Sequence, residues 1–136
     1  MKRSAFLYLS AAIVFLPLDV AWLTLVARDF YRSRLGDFLL EQPRWAAAIG
    51  FYVVYLAGIV VFAMLPAAAQ GSWRTALVNG ALLGLFAYAT YDLTNLATAR
   101  GFSTAVALVD IVWGMVLTAA AATLGYWLAG LVVDLT

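Results

Sequence analysis

The segment Thr75–Ala99, TALVNGALLGLFAYATYDLTNLATA, contains no Lys, Arg or Glu and only one carboxylate, Asp92. Its 25 residues exceed the about 20 that an α-helix needs to cross a bilayer core. Read as a membrane span, it sets the class of the whole chain. It also raises a question, because Tyr91-Asp92-Leu93-Thr94-Asn95 places a phenol, a carboxylate, a hydroxyl and an amide within five residues of apolar helix. Ionisable groups at such depth are costly and usually have a task.

Composition agrees with a membrane reading. Of 136 residues, 66% are apolar and 11% charged, and the mean hydropathy is +0.97. A soluble domain is nearer half apolar and a quarter charged, and one small core cannot hide the surplus. The net charge of +1 gives no basic field for nucleic acid. The chain has no cysteine and no histidine. Disulfides, thiolate metal sites, cysteine nucleophiles and the imidazole base are therefore excluded. No cofactor and no metal are expected, although carboxylate oxygens would suit a hard cation such as Mg²⁺.

Four spans follow, at about residues 5–27, 45–65, 75–99 and 104–133, and the expected fold is an all-α four-transmembrane-helix bundle in one integral membrane domain, 1–136. The first apolar run is longer than a signal-peptide core and carries Asp19, so it reads as a retained helix. Arg28 to Arg44 holds seven of the fifteen charged residues. There Tyr31, Leu35, Phe38 and Leu39 recur at helical spacing, which fits a short interfacial helix; an ordered surface loop is the alternative. Pro66 is expected to end the second span. The first and third connections carry five Arg against three basic residues on the other side, which favours a cytoplasmic long connection, while Lys2 and Arg3 argue the opposite way. Gly80-xxx-Gly84 and Ala121-xxx-Gly125-xxx-Ala129 are spaced for close helix approach, within the bundle or between copies. Asn79 is expected to link helices. Thr24, Thr118 and Thr123 are expected to bond back to their own helices.

The spacing gathers polar groups into one layer. Asp19 lies nine residues before Arg28, Asp92 eight before Arg100, and Asp110 ten after Arg100. At 1.5 Å per residue all three sit roughly 12–15 Å from one boundary. Tyr52 and Tyr55 lie at comparable depth on the second helix. Tyr88, Asp92 and Asn95 share a face of the third. Asp19-x-x-Trp22 and Asp110-x-x-Trp113 each put an indole one turn from a carboxyl. With no Lys or Arg inside the four spans, the carboxyls have no built-in ion pair, and at least one is expected to hold a proton.

The run from Ala87 to Thr98, together with Leu18-Asp19-x-x-Trp22, Phe30-Tyr31-Arg32-x-x-Leu35-Gly36, Phe51-Tyr52-x-x-Tyr55 and Asp110-x-x-Trp113-Gly114, resembles the bacterial predicted-membrane-protein family called domain of unknown function 2177. The resemblance covers nearly the whole chain. It implies a bacterial four-helix integral membrane protein of the cytoplasmic membrane and implies no activity.

The leading functional reading is an intramembrane polar cavity that binds or carries a small molecule, a lipid or a proton. Its candidate residues are Asp19, Asp92, Asn95 and Asp110 with Tyr52, Tyr55, Tyr88, Tyr91, Trp22 and Trp113. The expected partners are membrane lipid, a small-molecule ligand, and either further copies or a larger membrane complex. An accessory or assembly subunit is the second reading. A carboxylate-dependent intramembrane enzyme is the third and is disfavoured, because the Gly-x-Gly-Asp string of intramembrane aspartyl proteases is missing before Asp110. A purely structural role for the aspartates, bonding across helices, stands beside all three.

Overall fold

A computed structural model describes residues 2–36 and 44–135. It is all-helical, with four long helices: α1 (Lys2–Val26), α3 (Trp45–Gln70), α4 (Trp73–Thr98) and α5 (Thr104–Gly130). Each is long and apolar enough to cross a membrane. A short helix, α2 (Arg28–Leu35), follows α1. The sequence features at Asp37, Phe38, Leu39, Glu41 and Pro43 lie outside the described residues.

The connections are tight where the sequence supplies turn chemistry. Gly71 takes the left-handed conformation (φ 61°) that ends α3, and two residues later α4 begins. The Ser103 hydroxyl caps α5 by accepting from the Val106 amide at 3.3 Å. α1 ends in a π-turn over Trp22–Val26, closed by the Ala27 amide on the Trp22 carbonyl at 2.7 Å. The chain passes from there straight into α2, whose Leu35 packs with Phe102, Val106 and Ala107 at the start of α5.

Pro66 does not end α3, which runs on to Gln70. A π-turn over Val60–Met64 precedes the proline and helps the helix absorb it. The ring removes the amide that would bond the Phe62 carbonyl, four residues back. That carbonyl is taken instead by the Asn79 side-chain amide of α4, at 3.0 Å. The expected helix-linking role of Asn79 thus has a specific cause.

All four long helices contribute to one core that includes Leu7, Ala11 and Phe15 of α1, Leu56, Ile59 and Met64 of α3, Ala76 of α4, and Leu117, Ala121 and Ala122 of α5. α5 is the most deeply buried helix and packs most extensively against α4. The small-residue stripes explain this. A Cβ on Gly84 would strike the Gly114 carbonyl, and one on Gly80 would lie 3.0 Å from the Ala119 Cα. Gly125 faces α1, where an added Cβ would sit 3.0 Å from the Ala11 amide nitrogen. The outward surface is apolar, with Ile13, Leu25, Val54 and Phe86 largely exposed, as lipid-facing residues should be.

Candidate functional site

The antiparallel pairing of α1 and α5 brings the two Asp-x-x-Trp motifs face to face. The Trp22 and Trp113 indoles stack with centroids 4.4 Å apart and planes 7° from parallel. Each indole then serves the opposite motif. Trp113 Nε1 donates to Asp19 Oδ1 at 3.4 Å. Trp22 Nε1 donates at 3.2 Å to the Tyr31 hydroxyl, which donates at 2.8 Å to Asp110 Oδ1. Tyr52 of α3 completes the Asp19 site by donating to Oδ2 at 2.7 Å.

Asp92 is enclosed differently. It is 0% exposed, and neither oxygen meets an ordinary N–H or O–H donor. Its close electrostatic neighbour is the carboxyl of Asp110. Two carboxyls bond each other only by sharing a proton, because two adjacent charges repel. Among the described residues none of the three aspartates forms an ion pair, and no three carboxylates converge on one point. The polar groups therefore form two adjoining sites, Asp19 with Tyr52 and Trp113, and Asp92 with Asp110 and Tyr31, bridged by the indole stack.

Other candidates lie around these two. The buried Tyr55 and Thr118 hydroxyls share a 2.7 Å bond. Thr118 thus reaches across to α3, whereas Thr24 does bond back, to the Val20 carbonyl at 2.7 Å. The Thr123 hydroxyl is buried without a partner. The Tyr88 ring lies against Gly114, where a Cβ would overlap it, and meets Tyr55 edge-on at 6.1 Å. Tyr91 is half-exposed beside Phe102. Asn95 stays outside the network, since its amide donates to the Tyr91 carbonyl of its own helix at 2.9 Å.

Asp110 also faces a cleft of about 300 Å³ between α3, α4 and α5, whose other walls are Phe51, Ala87, Tyr88 and Tyr91. Phe51 is held there by stacking on Tyr55, with centroids 5.1 Å apart. Among the described residues the Tyr88 and Tyr91 hydroxyls make no hydrogen bond.

Tyr31 is the functional candidate that sequence reasoning missed. Its place in a helical pattern on a charged segment marked it as an interfacial anchor, not as a ligand of Asp110. Burial pushes its hydroxyl well above the ordinary tyrosine range, the charge of Asp110 adds to this, and the bond from Trp22 opposes it.

Residues 4–127 match the model of a family described as predicted membrane protein (DUF2177). The chain belongs to that family. The match spans every element that builds the two sites, from α1 to Trp113 of α5. As a DUF2177 protein with four candidate spans, it is a multi-pass membrane protein. No curated protein and no solved structure matches it.

Proposed function

We propose that this DUF2177 protein binds a small membrane-soluble molecule in the cleft between α3, α4 and α5, within the bacterial cytoplasmic membrane. The observation that carries the reading is the Asp110 carboxyl in the wall of a 300 Å³ cleft whose remaining walls are aromatic or small. Ligand sites span roughly 300–1,000 Å³ and combine apolar walls with a few polar groups, so this cleft fits a small ligand. A bundle that used its aspartates only to fix helices would enclose them all, as it does Asp19 and Asp92.

The test is direct. Protein purified in mild detergent is offered the total lipid and metabolite extract of a bacterial membrane, and bound species are read by native mass spectrometry. Ala87→Trp fills the cleft from α4, and Asp110→Asn removes its acid. Both are expected to lose the bound species while keeping the helical content and melting profile of a folded bundle. Retention of the same species by both variants would rule the cleft out.

A further inference from the structure

We infer that the cleft takes an organic monocation of the ammonium class, admitted in exchange for the proton held by the Asp92–Asp110 carboxyl pair. This rests on reading the cleft as a ligand site and adds the charge and chemistry of the ligand.

Three features of the walls argue for that class. The acid at the cleft is Asp110, and every basic residue described lies at or beyond the ends of the spans, at positions 2, 3, 28, 32, 34, 44, 74 and 100. An anion would meet a carboxyl and no counter-charge. A hard metal ion asks for about six oxygen ligands, and this cleft offers one carboxyl and two phenols. An organic cation needs far less: one carboxylate and aromatic faces, the arrangement that recognises quaternary ammonium groups. Phe51, Tyr88 and Tyr91 are the aromatic rings that line the cleft.

The buried partner supplies the exchange. Asp92 is fully enclosed, has no donor of its own, and is backed against Asp110. A proton on the pair keeps the empty site neutral enough to remain buried. When the cation arrives, one carboxyl O–H bond breaks and the proton leaves to water. The net charge of the site is then unchanged. The other groups that face the pair are acids or phenols: Tyr31 from α2, Asp19 from α1, and Tyr88 and Tyr91 from α4, while Tyr52 and Tyr55 of α3 are taken up by Asp19 and Thr118. None of them supplies a competing positive charge. Tyr31, bonded to Asp110 and lying beyond the end of α1, connects the pair to the membrane boundary.

The experiment compares benzyltrimethylammonium with neopentylbenzene, its neutral carbon isostere, by titration calorimetry on the detergent-solubilised protein. The cation is expected to bind at least about ten-fold more tightly, a difference that one desolvated cation–aromatic contact with a carboxylate can supply. Repeating the titration in buffers of different ionisation heat is expected to give release of one proton per cation. Affinity should rise up to about ten-fold per pH unit while the pair remains protonated. Asp110→Asn is expected to erase the preference for the cation while the isostere still binds. The proton count comes from the wild-type chain and does not depend on any variant folding. Cation binding without proton release would overturn the exchange. Equal binding of the two probes would overturn the cation assignment and leave the cleft standing as a site for neutral molecules. Failure of both probes, joined to retention of the native ligand by Ala87→Trp, would overturn the cleft reading as well.

Discussion

Tyr52 and Trp113 reach Asp19 from two other helices, whereas nothing but another acid reaches Asp92. The two carboxyls should answer substitution in opposite ways. Tyr52→Phe removes a 2.7 Å bond and leaves Asp19 half-satisfied. The expected loss is about 1–2 kcal/mol, between the usual value for interhelical bonds in membranes and that for a bond to a charged group. Asp92→Leu replaces a fully buried acid, whose one polar neighbour is another carboxyl, with an apolar side chain. That exchange should be neutral or stabilising, since it relieves the desolvation cost of a buried acid while Asp110 keeps the bond that Tyr31 donates to it. Reversible unfolding in mixed micelles measures both. If Asp92→Leu instead costs more than Tyr52→Phe, Asp92 is a structural residue and the exchange argument loses its acid. The three aspartates were readable as one layer from depth, because helical rise converts residue number into height, and Trp22 and Trp113 from their Asp-x-x-Trp spacing. Their pairing was not readable. Depth says nothing of azimuth, so Asn95, at the right height, turns out to bond its own helix, while Tyr31, outside the spans, closes on Asp110.

At the level of elements, the four spans were visible in hydropathy, whereas the ends at Gly71 and Ser103 came from the structure, which shows the turn and cap chemistry that sets them. Two boundaries moved for identifiable reasons. The last span stops at Gly130, not near Val133, so its length falls closer to what a bilayer requires. The second span passes Pro66, because a neighbouring helix can satisfy the carbonyl that a proline strands, and sequence does not say which neighbour. Asn79 is that neighbour's contribution. Replacing it with Leu is expected to cost about 1–2 kcal/mol, the desolvation of an unpartnered carbonyl. In a Pro66→Ala background the restored amide can bond Phe62 itself, so Asn79→Leu should then cost less than half as much. The double-mutant cycle measures that coupling. Additive effects would mean that the Asn79 bond and the proline are unrelated.

At the scale of the whole molecule, the small residues decide how the helices close. Sequence left open whether the Gly80–Gly84 and Ala121–Gly125–Ala129 stripes serve this bundle or its assembly with other copies. In the structure Gly80 and Gly84 lie against α5, and Gly125 lies against α1 and Met64 of α3. Their close approach also seats Tyr88 over Gly114 and so shapes a wall of the cleft. Glycines differ sharply in what they would tolerate. Gly84→Ala drives a methyl into the backbone of α5, and Gly80→Ala brings one to 3.0 Å from it, so a graded response is expected. Overpacking of this kind costs about 1–3 kcal/mol, with Gly84 at the upper end. Gly58→Ala meets nothing within 4 Å and should be neutral or mildly stabilising, since alanine holds a helix better than glycine. Unfolding in micelles ranks the three, and light scattering of the protein–detergent complex gives the mass of each. A stripe used inside the bundle predicts a lower stability for Gly84→Ala at unchanged mass. A drop in mass at unchanged stability would move the stripe to an interface between copies and require the α4–α5 packing to be redrawn.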